Sequence, residues 1–203
     1  TTLLSSAASD VYKRQVFSRE PGYRAFAKSK GKLLKGILVV RKDSPIQDPR
    51  GLSGATLAFP APAAFAASVL TRAYLNQERI AFTPKFVSSH DSVYLAVAKG
   101  LYPGGGGVVR TFESLEPAVR DELRILWTTK GYTPHAFAAH PQVPEEKVKR
   151  LAEAMLAMGQ NEDGRALLAP LGVKGFEAAT DGDWDDVRAL GIALLNDLVQ
   201  PAQ

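Results

Sequence analysis

The chain has 203 residues, 45% of them apolar and 23% charged, with no cysteine and a formal net charge of +4. That apolar content supports a core and excludes an intrinsically disordered chain, while the lack of cysteine excludes disulfide frameworks, thiolate metal sites and cysteine nucleophiles without deciding the compartment. The positive charge is local: residues 16–43 carry eight Lys/Arg against two acids and residues 44–203 carry fifteen against eighteen, so no basic field for nucleic acid covers the molecule.

Thr1 to Gln15 fits no periodic pattern and lacks the basic start and sustained apolar stretch of a signal peptide. It reads as a non-native or disordered leader, and a genuine N-terminal part with any export signal is expected to be missing. The cations from Arg19 to Lys42 have only Tyr23 and Phe26 as stacking candidates and read as a solvated face and connector. Tyr23 to Lys30 is compatible with a helix. Gly36 to Arg41 is a short β-branched apolar run, the pattern of a strand buried on both faces, and Asp43-Ser44-Pro45 ends it. Gly51 to Thr71 holds no charge for 21 residues, yet Pro60, Pro62 and its small residues break it too often for a membrane span. It resolves into a strand at Ala55 to Phe59 and a helix from about Ala63 to Gln77. Phe82 to Val87 gives a third strand. Ser88-Ser89-His90-Asp91 then supplies a hydroxyl cap and a first-turn acid for a helix closed by Gly100.

Gly104 to Gly107 read as a turn or hinge leading into a strand at Val108-Val109, followed by a helix from Phe112 to Leu123 and a strand at Arg124 to Thr129. Ala136 to Ala139 extends the sheet. Val148, Leu151, Ala152, Met155 and Met158 recur at helical spacing, and a last helix begins near Asp183 and carries Leu190, Leu194, Leu195 and Leu198. Strands alternating with helices at these lengths imply an α/β fold with parallel sheets and crossover helices on both faces.

No catalytic set emerges. Gly51-Leu52-Ser53-Gly54 lacks the nucleophile-elbow spacing, and the glycines at 104–107 have no Lys-Ser/Thr behind them, so no P-loop is present. His135 and His140, five apart beside prolines, point to opposite faces of a strand and do not make a joint metal site. Asp181, Asp183, Asp185 and Asp186 lack the closing glutamate of a calcium loop and read as a helix start whose dipole favours acids. What survives are strand-to-helix junctions at the carboxyl edge of a parallel sheet, where ligands bind in open α/β sheets and helix starts offer N–H groups to anions. These are Pro60-Ala61-Pro62-Ala63-Ala64-Phe65, Ser88-Ser89-His90-Asp91 and Arg110-Thr111. Each can equally be a loop and a cap. A guanidinium following a buried strand is costly without an anionic partner, which favours Arg110, although Glu113 and Glu116 are alternative partners.

Val39-Val40-Arg41-Lys42-Asp43-Ser44-Pro45-Ile46, Leu52 to Phe59, Ser89-His90-Asp91 with Ala96 to Gly100, and Leu123 to Trp127, in this order and spacing, resemble the phosphate/phosphonate-type periplasmic substrate-binding proteins of ABC importers. The likeness runs over about residues 16–203. It implies a type 2 two-lobe α/β fold with parallel or mixed sheets flanked by helices and an incomplete first lobe: residues 16–43 and 128–203 in lobe I, 44–127 in lobe II, and 1–15 outside both. It further implies a non-enzymatic role, a small phosphonate- or phosphate-like ligand held between the lobes, ABC permease and ATPase partners, no cofactor, no nucleic acid, and a periplasmic or extracytoplasmic location. The ligand residues it suggests are Ala63, Ala64, Phe65, Ser89, His90, Asp91, Arg110 and Thr111. Two departures stand out: Ala63, Ala64 and Phe65 lie where phosphonate binders carry a Ser-Thr-Ser run, and Arg110 lies where aminophosphonate binders carry a carboxylate. They point away from an aminophosphonate and toward another small anion or a partly apolar ligand beside Phe65. The effector-binding half of a transcriptional regulator and a fold-related enzyme are the alternatives on the same fold.

Overall fold

The computed structural model describes residues 22–190. Within them, residues 22–33 and 133–190 form one compact unit and residues 34–132 form another. The leader at 1–15 and the helix positions Leu194, Leu195 and Leu198 lie outside the described residues.

The larger unit is a five-stranded mixed sheet between two helical layers. Its strands are β2 (Gly36–Arg41), β3 (Ala55–Phe59), β4 (Phe82–Phe86), β5 (Gly105–Val108) and β6 (Leu123–Thr128), in the order β4-β3-β5-β2-β6. β3 runs parallel to β4, from Ala55↔Phe82 to Phe59↔Phe86, and parallel to β5 through Ala58↔Gly105. β2 is antiparallel to both β5 and β6, so the sheet is mixed, one of the two forms that the resemblance implies, where strand–helix alternation alone reads as parallel. Pro84 is tolerated because β4 lies at the edge. β2 itself is buried on both faces, as its unbroken apolar run predicts.

Alternate residues of β2 and β3 feed two cores. Ile37, Val39 and Ala58 pack on Val93, Tyr94 and Val97 of α2 (His90–Ala98). Leu38, Val40, Leu57 and Phe59 pack with Leu52, Leu75 and Ile80 on the other face. That face is covered by a π-helical segment, Phe65–Leu70, running into α1 (Thr71–Gln77). In place of the single helix expected from Phe112 to Leu123, two short ones form, α3 (Val109–Glu113) and α4 (Pro117–Arg120). Pro117 fits a first helical turn but cannot continue one.

The glycines at 104–107 are no turn. They are buried, and three of them open β5, a central strand. A β-carbon on Gly105 would reach 2.9 Å from the Ala58 carbonyl oxygen, and one on Gly106 would overlap the Ala67 carbonyl oxygen. Glycine has little strand preference, but here its missing side chain lets helices approach the sheet backbone on both faces. Gly36 serves the same end, since a β-carbon there would overlap the Ala66 carbonyl oxygen.

The smaller unit holds an antiparallel sheet, β7-β1-β8, of β1 (Arg24–Ser29), β7 (Phe137–Ala139) and β8 (Phe176–Ala178), with α5 (Glu145–Met158), α6 (Glu162–Leu168) and α7 (Asp185–Arg188). β1 corrects the helix expected over Tyr23 to Lys30: pairing on both sides outweighs a weak local helical preference. β7 accordingly extends this sheet and not the five-stranded one. The two compact units divide at 33/34 and 132/133, with β2 in the larger one because it pairs along its length with β5 and β6; the lobe boundaries that the resemblance implies lie at 43/44 and 127/128. The acidic run at 181–186 works as a clasp. Asp183 ion-pairs with Lys28 and caps the Thr180 N–H at 2.8 Å, Asp181 accepts the Ala25 N–H at 3.1 Å, and Asp186 accepts the Thr133 N–H at 2.8 Å. Among the described residues no group of His, Asp and Glu has a metal-holding arrangement, and no helix is long and apolar enough to cross a membrane.

Candidate functional site

All eight residues singled out from the sequence lie in the larger unit, and the sheet topology brings them to one edge. β4, β3 and β5 are adjacent and parallel, so the segments leaving Phe86, Phe59 and Val108 emerge together at their carboxyl ends. The segment after β3 turns toward the α1 face and the segment after β4 toward the α2 face. Chains diverging from neighbouring parallel strands open a crevice, the place where open α/β sheets bind ligands.

On the β3 side, Ala63, Ala64 and Phe65 are half-buried. Ala64 is the N-cap and offers no side-chain hydrogen bond; its carbonyl accepts from Ser68 at 2.7 Å and Val69 at 3.1 Å, the second being the π-type link. The amides of Ala66 and Ala67 head this segment, where no helical carbonyl lies one turn back. The first hydroxyl of the segment is Ser68, fully buried, and its Oγ has no hydrogen-bond partner.

On the β4 side, Ser89 caps α2 as its sequence predicts: its Oγ accepts the Ser92 N–H at 3.0 Å and donates to Ser92 Oγ at 2.8 Å. Asp91 is exposed in the first turn. His90 is half-buried; its Nδ1 is shut off from solvent and has no hydrogen-bond partner. Desolvation lowers its pKa from the ordinary 6.5, with Asp91 opposing weakly. Ser88 stands at φ +77°, a left-handed conformation that costs a non-glycine residue about 1–3 kcal/mol and persists where surrounding structure imposes it, often beside binding sites. Nothing in the sequence signals it.

On the β5 side, Arg110 is exposed on α3. The expectation that a buried guanidinium there demands an anion is therefore corrected: the charge sits at the surface, where water reaches it. Thr111 donates through Oγ1 to the Val108 carbonyl at 3.1 Å and lies 2.8 Å from the Tyr94 hydroxyl. Its hydroxyl is thus engaged within the protein. Tyr94, to which the sequence alone assigned no role, is fully buried one turn after His90. Its position four residues after His90, on the same face of α2, is a signal the sequence does carry.

Residues 15–184 match the sequence model of a family described as "ABC transporter, phosphonate, periplasmic substrate-binding protein". Among curated proteins none matches the chain. Several solved structures share its fold. A binding protein component of an ABC phosphonate transporter from Pseudomonas aeruginosa aligns with TM-score 0.70 at 19% identity, over 83% of this chain and 61% of that one. PhnD1 from Prochlorococcus marinus, in complex with methylphosphonate, aligns with TM-score 0.71 at 20% identity, over 84% and 71%. XAC2383 from Xanthomonas citri, bound to ATP, aligns with TM-score 0.75 at 17% identity, over 96% and 85%. The chain thus spans 61% of the length of the first of these relatives.

Proposed function

Since the chain belongs to the family of phosphonate-type periplasmic substrate-binding proteins of ABC transporters, with the two-lobe α/β fold of that class, we propose that it serves as the solute-binding component of an importer and captures a small anion at the carboxyl edge of β4, β3 and β5. In this reading the two compact units are the two lobes, the location is extracytoplasmic, and the partners are an ABC permease and its ATPase. A family of transport binding proteins is not an enzyme class, and no covalent chemistry is assigned to this chain.

The observation that carries the reading is His90. A ring nitrogen shut off from solvent without a partner costs free energy, of order 1–3 kcal/mol, unless a ligand satisfies it. Here that nitrogen belongs to the first residue of α2, beside the helix positive pole. Across the crevice, the segment starting at Phe65 offers backbone amides but no hydroxyl at Ala63 or Ala64, and half-buried Phe65 brings an aromatic side chain to this segment's start. An anionic head group with a compact apolar substituent suits this pairing better than a fully hydrated inorganic anion. Arg110, exposed near the start of α3, is the cation this edge presents to an anion, while Glu113 ends the same helix. Methylphosphonate, the ligand in the PhnD1 complex, has both features.

Thermal unfolding of the chain against methylphosphonate, phosphate, methanesulfonate and small carboxylates tests the reading. A ligand that binds only the native state raises the midpoint, by about 2.7 kcal/mol of stability at one hundred times its dissociation constant. Stabilisation by methylphosphonate is the expected result; indifference to the whole panel would overturn the assignment.

A further inference from the structure

Beneath the β5–α3 junction the side chains of Tyr94 and Thr111 close a hydrogen-bonded ring with Val108. The Val108 N–H donates to Tyr94 Oη at 3.0 Å, the Tyr94 and Thr111 hydroxyls share a hydrogen bond at 2.8 Å in which either can donate, and the Thr111 hydroxyl donates to the Val108 carbonyl at 3.1 Å. With Tyr94 as donor to Thr111, each hydroxyl gives one hydrogen and accepts one, and no group in the ring is left unsatisfied. The Tyr94 hydroxyl also lies 3.0 Å from the Val108 carbonyl, an alternative acceptor in the same unit.

We propose that Tyr94 is a positioning residue for anion binding, fixing the Val108–Thr111 segment against the helix whose first residue is His90. This rests on the anion-binding reading of the same edge. α3 has only five residues, none of them buried, and its N-cap Val108 makes no side-chain cap bond. Packing alone holds such a turn poorly. The ring supplies the missing restraint, and its anchor stands one helical turn below His90 on the same face of α2. Space for the anchor is reserved in the sheet, because a β-carbon on Gly107 would overlap the Tyr94 hydroxyl and come within 2.7 Å of its ring. The Phe112 ring meets Tyr94 edge-on at 5.8 Å and fixes its plane. Burial raises the Tyr94 pKa above its ordinary 10.0, which keeps the phenol a donor at any pH the protein meets. A leucine or methionine would fill the same core without reaching Val108; the hydroxyl is what connects α2 to the junction bearing Arg110.

The test uses the full chain as wild type, Tyr94→Phe, Thr111→Val and the double variant, with methylphosphonate as probe. Amide exchange is followed at residues 108–111 and, as a reference, at Val39 and Leu57. The proposal expects faster exchange at residues 108–111 in Tyr94→Phe with the reference unchanged, and methylphosphonate affinity about tenfold weaker, the size of one lost buried hydrogen bond. Thr111→Val should do the same, and the double variant should be no worse than either single one, because the ring acts as a unit. A lowered melting temperature with unchanged affinity and unchanged exchange at 108–111 would overturn the proposal and leave Tyr94 a packing residue. A wild-type chain that ignores methylphosphonate would overturn the anion-binding reading instead; the exchange arm then decides whether Tyr94 fixes the segment, faster exchange supporting that and unchanged exchange refuting it.

Discussion

Gly106 meets the Ala67 carbonyl so closely that a β-carbon on the glycine would overlap its oxygen, while the same β-carbon would lie 2.6 Å from the Phe59 ring. One central strand position thus sets how near the helix start at Phe65 comes to the sheet. Gly106→Ala must push either the strand or the π-helical segment aside, and its backbone angle needs no left-handed conformation that would add strain of another kind. Overpacking of this sort costs about 1–3 kcal/mol. Urea unfolding should show a loss in that range; a variant as stable as wild type would mean that the packing is looser than described.

Ser68 gives the opposite sign. Its hydroxyl is fully buried without a partner, so Ser68→Ala removes a desolvated polar group and breaks no hydrogen bond. The variant should be neutral or more stable by up to about 1 kcal/mol. A loss of stability on urea unfolding would show that the hydroxyl has a partner after all.

The clasp at residues 181–186 titrates in acid. The hydrogen bond from Lys28, followed by those from Thr180, lowers the Asp183 pKa from 3.8 to about 2. Because the folded value lies below the unfolded one, its stabilising contribution is complete above pH 3.8 and fades as pH falls through about 2. The Asp183 carboxyl carbon should therefore titrate near 2 by NMR, and in Lys28→Met its midpoint should move back toward 3.8. An unmoved midpoint would assign the shift to Thr180 alone.

His90 has the other dependence. Its pKa is lowered in the folded chain by burial, so it opposes folding only as pH falls below its ordinary 6.5, where the unfolded chain takes up the proton first. An anion beside Nδ1 reverses the desolvation and favours the imidazolium. Methylphosphonate binding should then be accompanied by proton uptake that grows as pH falls below 6.5, measured by calorimetry in buffers of different ionisation enthalpy. His90→Asn should remove that uptake; equal uptake in the variant would place the proton elsewhere.

Much of this was legible in the sequence because it rests on local rules. The buried run at Gly36 to Arg41 and the Ser89 cap with its first-turn Asp91 follow from periodicity and capping, and the carboxyl-edge position of residues 60–65 and 88–91 follows from strand–helix alternation. What was not legible is long-range. The Gly105–Val108 strand exists because it pairs with β2 and β3, and it is glycine-rich because Ala67, Phe59 and Tyr94, distant in sequence, crowd its faces; no local propensity encodes either. β1 is a strand because β7 and β8 flank it. A strand end suggests burial and so an anionic partner for Arg110, but α3 carries it out to the surface. Tyr94 reads as one more apolar residue of α2 until Val108 is seen within reach of its hydroxyl.

The most direct measurement is a titration of the 15N-labelled chain with methylphosphonate, followed by amide and His90 imidazole shifts. Saturable changes centred on residues 63–67, 88–92 and 108–111 are predicted, with the His90 ring nitrogens among the largest, together with their loss in His90→Ala. Saturable changes confined to the smaller unit, or no change at all, would contradict anion capture at this edge.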